Sequence, residues 1–221
     1  MARTTDTGIV RSYCENNVGG VFDLNYLANN IFKDIPHVNL RKIVTRLIDS
    51  GLLRQVSKGV YLIGESELSD EERIIRHYTY DEDVRIGMAS GNYLMYLLGL
   101  LDIEPRIKEI RSTKTVGNKL IGNVQIIESK SSIAEGGLHT YEIFVVMEIL
   151  YRHDEIPSCY ADKAFDIIQR NCKLYKDFIL KYMEIEYPRI AYINLANTLD
   201  SMEISNRVME YYVEKTTLHT V

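Results

Sequence analysis

Tryptophan is missing from this chain, and cysteine nearly so: Cys14, Cys159 and Cys172 are the only three in 221 residues. An odd number at wide spacing excludes a disulfide framework and suits a reducing cytoplasm, where the protein is expected to reside. No CxxC or HxxxH pair occurs, so the paired short spacings of a structural zinc site are absent. No apolar run approaches about 18 residues, which argues against a membrane span. The opening "MARTTDTGIVRSYCENN" lacks the apolar core of a secretory signal. The glycine pairs in "VGG" and "EGG" are not followed by Lys-Ser/Thr, so neither is a phosphate loop. Internal repeats and low-complexity tracts are also absent.

What is present is an ordinary globular balance, 46% hydrophobic and 26% charged, long enough for one large domain or two small ones. Charge is unevenly placed. Residues 1–63 hold eight Lys/Arg against five Asp/Glu, so with a net charge of −5 the rest of the chain carries −8. A basic N-terminal third on an acidic body predicts two domains with different partners, divided near residue 66.

The N-terminal third punctuates clearly. Residues 7–16 read as a short helix with Ile9, Val10 and Tyr13 on one side. "VGGVF" is an extended piece, and Asp23 can cap a helix over "LNYLANNIF", with Leu24, Leu27, Ala28 and Ile31 at helical spacing. Pro36 ends that element. From about Asn39 to Ser50, Leu40, Ile43, Val44, Leu47 and Ile48 follow the i, i+3, i+4, i+7, i+8 pattern of an amphipathic helix. Lys42, Thr45 and Asp49 fall opposite that stripe, with Arg41 and Arg46 on its flanks. Gly51 stops the helix. "LLRQV" and "VYLI" then read as two strands joined by Ser57, Lys58 and Gly59.

Helix, strand, helix, turn, helix, hairpin is the order of a winged helix-turn-helix, whose third helix enters the major groove and whose hairpin is the wing. Arg41, Lys42, Thr45 and Arg46 are expected to face DNA, with Arg54 and Lys58 on the wing meeting phosphates. Asn39, at the helix start, and Ser57, at the wing turn, complete the expected DNA-binding set. Asp49 counts against phosphate contact at the far end of the helix. A winged helix can equally be a protein-docking module, its positive face merely solvated.

"GESELSDEE", residues 64–72, reads as an acidic linker, with Ser69 able to cap a following turn. "RIIRHYTY" fits a helix end or a strand. Ser90 is expected to cap a helix through "GNYLMYLLGL", ended by Gly99. "RIKEIRST" and "NVQIIES" read as strands, "KTVGNKLIG" as a turn-rich connector and "SKSSIAEGG" as a loop. A helix follows from Thr140 over "YEIFVVMEILYR" to near Pro157. From Ala161 onward the pattern is helical to the end, interrupted at Pro188. The expected fold class is therefore α+β. A winged helix-turn-helix at 1–66 precedes a mostly helical domain at 67–221 with a small sheet, its α/β part at about 75–152 and a helical tail at about 155–221.

Two stretches resemble one family, the AbiEi-type antitoxins of bacterial type IV toxin–antitoxin systems. "VTRLIDSGLLRQVSKGVYLI" is similar to that family's helix, "L…G", strand and "rGvY" run. "ASGNYLMYLLGLLDIEPRIKEIRSTK" is similar to its small-Gly pair, "LGL", proline and threonine-ended strand. The resemblance spans roughly residues 7–152 and departs at "LDIEPR", where the family tends to have Gln before the proline. It implies an N-terminal domain that binds the operator of its own operon and represses it. It also implies a C-terminal region that counters a nucleotidyltransferase-like toxin, without requiring a stable complex. Double-stranded DNA at an inverted repeat, bound by a dimer or a cooperative pair, and the cognate toxin are the implied partners.

Catalytic and metal constellations are thin, so no enzyme and no cofactor are expected. His153, Cys159 and Cys172 fit no zinc signature. Asp81 to Asp83 in "YDEDV" read as a solvated acidic turn. His139 beside Thr140 and Glu142 lacks an oxyanion hole or third group. The sixteen tyrosines, Tyr78, Tyr80, Tyr93, Tyr96, Tyr175, Tyr182, Tyr187, Tyr192, Tyr211 and Tyr212 among them, suit a core rim better than an interface. Two readings compete with the DNA-binding antitoxin: a winged-helix adaptor that docks proteins through its acidic body, and a regulator with a ligand pocket in the second domain.

Overall fold

The computed structural model describes residues 5–133, 138–174, 182 and 185–218. The chain is α+β. In its first third, the Thr5 side chain accepts the Gly8 N–H and opens α1 (Asp6–Asn16). β1 (Val21–Asp23) follows, and the Asp23 carboxylate accepts the N–H groups of Asn25 and Tyr26 at 3.1 and 3.2 Å to start α2 (Leu24–Asn30). Pro36 occupies the N-cap position of α3 (His37–Asp49). β2 (Leu53–Ser57) and β3 (Val60–Ile63) form a hairpin on Lys58 and Gly59, and β1 pairs with the far edge of β3, giving the antiparallel order β1-β3-β2.

"VYLI" does not alternate because β3 is buried on both faces. Tyr61 and Ile63 join the helical core of Val10, Phe22, Leu27, Leu40 and Leu47. Val60 and Leu62 face the other way, into a cluster with Ile74, Tyr78, Ile110, Val124 and Ile126. That second cluster draws on residues from both sides of position 66, so the N-terminal sheet is covered by the rest of the chain.

α4 (Asp70–Thr79) forms the joint. Ser69 and Glu72 make a reciprocal capping box. One turn on, buried Arg73 spends its guanidinium on backbone: Nε donates to Gly19 O at 2.8 Å and Nη2 to Ile63 O at 2.8 Å and Gly20 O at 3.1 Å. Tyr78 donates its hydroxyl to Asp23 Oδ2 at 2.6 Å, and Lys119 Nζ donates to the same oxygen at 2.8 Å. Asp23, 2% exposed, therefore caps α2 and ties it to two elements of the second half.

After a hairpin of β4 (Tyr80–Asp81) and β5 (Val84–Arg85) comes a four-stranded sheet of β6 (Gly87–Ser90), β7 (Lys108–Ser112), β9 (Val124–Glu128) and β8 (Lys119–Ile121), in that spatial order. β7 and β9 run parallel and the other pairs antiparallel. Only glycine fits at 87, because a Cβ there would lie 2.0 Å from Tyr78 O. α5 (Gly91–Leu97) leaves β6. The remaining helices are α6 (Leu138–Tyr151), α7 (Ala161–Leu174), α8 (Arg189–Ser201) and α9 (Val208–Leu218), with 3₁₀ turns at His153–Glu155 and Ser158–Tyr160.

α6 runs through the largest core, where its stretch 143–150 is buried and apolar except for Glu148, 1% exposed. Glu148 accepts the Gly91 N–H at 2.9 Å, Arg152 Nε at 3.0 Å and the Tyr187 hydroxyl at 2.7 Å. Burial first, then the Glu148 charge, holds the Tyr187 hydroxyl well above its ordinary pKa.

Several sequence expectations shift. Ile9 and Ile31 are exposed, not core: the buried face of α1 centres on Val10 and Cys14, and α2 ends at Asn30, so Phe32 turns inward instead. α3 begins two residues early. Residues 70–72 belong to α4, not to a linker, and "KTVGNKLIG" contains β8. "RIIRHYTY" is the end of α4 running into β4. Ser90 occupies the N-cap position of α5 without making the cap bond; the carboxylate of Glu148 takes the Gly91 N–H instead. The buried tyrosines are core, not rim: Tyr78, Tyr182 and Tyr192 are at most 2% exposed. Tyr175, much of "SKSSIAEGG" and the stretch 175–181 of the expected helical tail lie outside the described residues.

Candidate nucleic-acid interface

α3 owes its place to its apolar stripe. Leu40, Ile43, Val44 and Leu47 are at most 3% exposed, and burying each contributes roughly 1.5–3 kcal/mol. The opposite face is thereby forced outward. Val38, Asn39, Arg41, Lys42, Thr45, Arg46 and Asp49 are all exposed. Among the described residues, Arg41, Lys42 and Arg46 make no ion pair. Thr45 donates its hydroxyl to Arg41 O at 3.1 Å. No side chain caps the first turn of α3. The helix closes where Leu52 N–H reaches Leu47 O at 3.0 Å, with Gly51 at φ +77°.

At the hairpin tip, Gly59 also sits at φ +77°, and its carbonyl accepts the Leu24 N–H at 2.8 Å, so the turn is anchored on α2. A bulge between Gln55 and Ser57 twists β2 just before the tip. Lys58 is exposed and without an ion pair among the described residues; Ser57 is half-buried. Arg54 is ion-paired. It donates to Asp70 Oδ1 at 2.6 Å, and that hydrogen bond holds the Asp70 carboxyl below its ordinary range. Among the described residues, the hairpin therefore presents one uncommitted cation, not two. Asp70 stands at the start of α4, and no spacing along the chain links it to Arg54.

Of the other residues singled out by sequence, Cys172 is buried, with burial pushing its thiol up to about 11, while Cys159 and His153 are exposed. Asp81 pairs with Lys114 Nζ at 2.7 Å. No group of three His, Cys, Asp or Glu suited to a metal exists among the described residues. The side chains of His139 and Thr140 lie outside the described residues; Glu142 Oε2 is buried without a hydrogen bond. No helix among the described residues is long and apolar enough to cross a membrane.

Sequence reasoning passed over two features. One is Val38, the only apolar side chain on the outward face of α3, 64% exposed. Its signal was a helical position that breaks the polar pattern. The other is a cleft of about 680 Å³ between α2 and α4, lined by Tyr13, Tyr26, His77 and Lys114 among others. His77 Nε2 is buried there without a hydrogen bond, and burial, with the nearby Lys114 charge, pushes the imidazole down to about 3.

No family model matches the chain, and no curated protein matches it. Among solved structures, the chain is similar to the RV2827C protein from Mycobacterium tuberculosis, at 15% identity and a TM-score of 0.41, over 90% of this chain and 78% of that one.

Proposed function

We propose that the chain is a DNA-binding antitoxin of the AbiEi type. Residues 1–66 act as a winged helix-turn-helix that represses its own operon. Residues 67–221 counter a nucleotidyltransferase-like toxin. One observation carries the DNA-binding half: α3 turns Arg41, Lys42 and Arg46 outward, without ion pairs among the described residues, opposite a buried stripe. The element order and the strand order β1-β3-β2 support the winged-helix reading, with Lys58 at the wing tip. Cations left unpaired beside a rigid core are suited to displacing counterions from a phosphate backbone. The antitoxin half rests on the resemblance of "ASGNYLMYLLGLLDIEPRIKEIRSTK" to the family's second motif.

Fluorescence anisotropy against the chain's own upstream DNA and a scrambled duplex, at two salt concentrations, tests the first half. The wild type is expected to prefer the upstream DNA and to weaken with salt. Replacing Arg41, Lys42 and Arg46 by alanine is expected to abolish binding while leaving the thermal midpoint unchanged. Normal binding by that triple variant sinks the reading. Co-expression with the adjacent nucleotidyltransferase-like gene tests the second half: growth arrest that this chain does not relieve removes the antitoxin role.

A further inference from the structure

The outward arc of α3 is cationic at its edges and apolar at its centre. At 100° per residue, Val38 lies in the middle of that arc, with Arg41 about 60° to one side and Lys42 about 40° to the other. Val38 is 64% exposed and rigidly placed, since a β-branched side chain in a helix keeps essentially one rotamer. Thr45 falls about 20° from the same line, two turns on and about 10.5 Å along the axis. Its hydroxyl is committed to Arg41 O at 3.1 Å, so the methyl is the part left outermost. Within about 60° of Val38 the groups able to accept from a base are the Thr45 oxygen and, in the last turn, Asp49; Asn39 lies about 100° away.

Building on the DNA-binding reading above, we propose that Val38 and the methyl of Thr45 recognise thymine 5-methyl groups in the major groove. The thymine methyl is the one apolar mark on a base edge there, and an apolar side chain between flanking cations matches it. Arg41 and Lys42 contribute phosphate contacts or guanine contacts beside it. The preferred half-site then carries thymine at the position under Val38, with a second thymine near the reach of Thr45.

The test uses the full chain and duplexes that it enriches from a random library, resynthesised with deoxyuridine in place of thymidine. That change removes methyl groups and leaves base pairing intact. Wild-type affinity is expected to fall about three- to four-fold for each contacted methyl. Val38→Ala, at an exposed site, is expected to keep the wild-type thermal midpoint and to bind the thymidine duplex weakly. It is also expected to lose sensitivity to deoxyuridine at one mapped position. Equal wild-type binding to both duplexes overturns the proposal and leaves the DNA-binding reading standing. Undiminished sensitivity at every thymidine in Val38→Ala also overturns it. Failure to enrich or bind any duplex removes both readings together.

Discussion

Asp23 is the residue whose loss should cost most for its size. It is 2% exposed, caps α2, and holds both the Tyr78 hydroxyl and the Lys119 ammonium. Asp23→Ala removes a cap worth about 1 kcal/mol and strands a cation and a hydroxyl in a largely dry site. Together these predict a loss of about 3–5 kcal/mol, weighted to the lower half because Lys119 keeps 25% of its side-chain surface in water. For a chain of this size that corresponds to a midpoint fall of roughly 6–20 °C. Asp23→Asn can keep the cap through its one amide oxygen, but its NH2 replaces Oδ2 and accepts from neither Tyr78 nor Lys119, so the loss is expected to be smaller than for alanine only by the cap, about 2–4 kcal/mol. Urea denaturation followed by circular dichroism measures both. A double-mutant cycle with Lys119→Met isolates the pair, with an expected coupling of about 1–3 kcal/mol. Burial alone would raise the Asp23 carboxyl, but the hydrogen bonds from Lys119 and Tyr78 and the Lys119 charge hold it below its ordinary value. Its contribution is therefore complete above about pH 4 and is lost as pH falls through the lower folded value. If Asp23→Ala and Asp23→Asn prove equally mild, or the cycle shows simple additivity, the idea that this carboxylate joins the two halves is wrong.

Three more expectations concern other residues. His77 is neutral in the folded chain down to about 3, against about 6.5 unfolded, so stability should decline by about 1.4 kcal/mol per pH unit as pH falls between those values; His77→Phe should flatten that decline in midpoint-versus-pH curves. Lys58→Ala should weaken DNA binding similarly for all sequences and reduce the slope of log affinity against log salt by about one, read by anisotropy. Asp70→Asn frees Arg54 from its 2.6 Å ion pair and should tighten DNA binding up to about five-fold at low salt, since an exposed pair is worth about 0–1 kcal/mol; unchanged affinity would show that Arg54 does not meet phosphate.

Legibility followed the range of the interaction. α3 and its buried stripe are legible because helical periodicity is local, and Asp23 is legible as a cap because a carboxylate before a helix acts on N–H groups two and three residues away. The turn at Lys58 and Gly59 was legible for the same reason. Ser90 is at the N-cap position of α5 as the sequence suggests, but the acceptor there is not legible, because Glu148 lies 57 positions away on α6. The ion pair of Arg54 is not legible in the sequence, because Asp70, 16 residues on, reaches it only in the folded chain.

By itself the sequence determined the α+β class, the outward cationic face of α3 and the charge contrast between the two ends of the chain. These depend on spacing and composition, which folding does not rearrange. The tertiary structure alone decided that β3 is covered on both faces, that β7 and β9 run parallel, and that Asp23, Tyr78 and Lys119 meet. Each of those joins residues distant in the chain, and burial selects such partners by shape and by the need to pair every buried polar group, neither of which is written in local order.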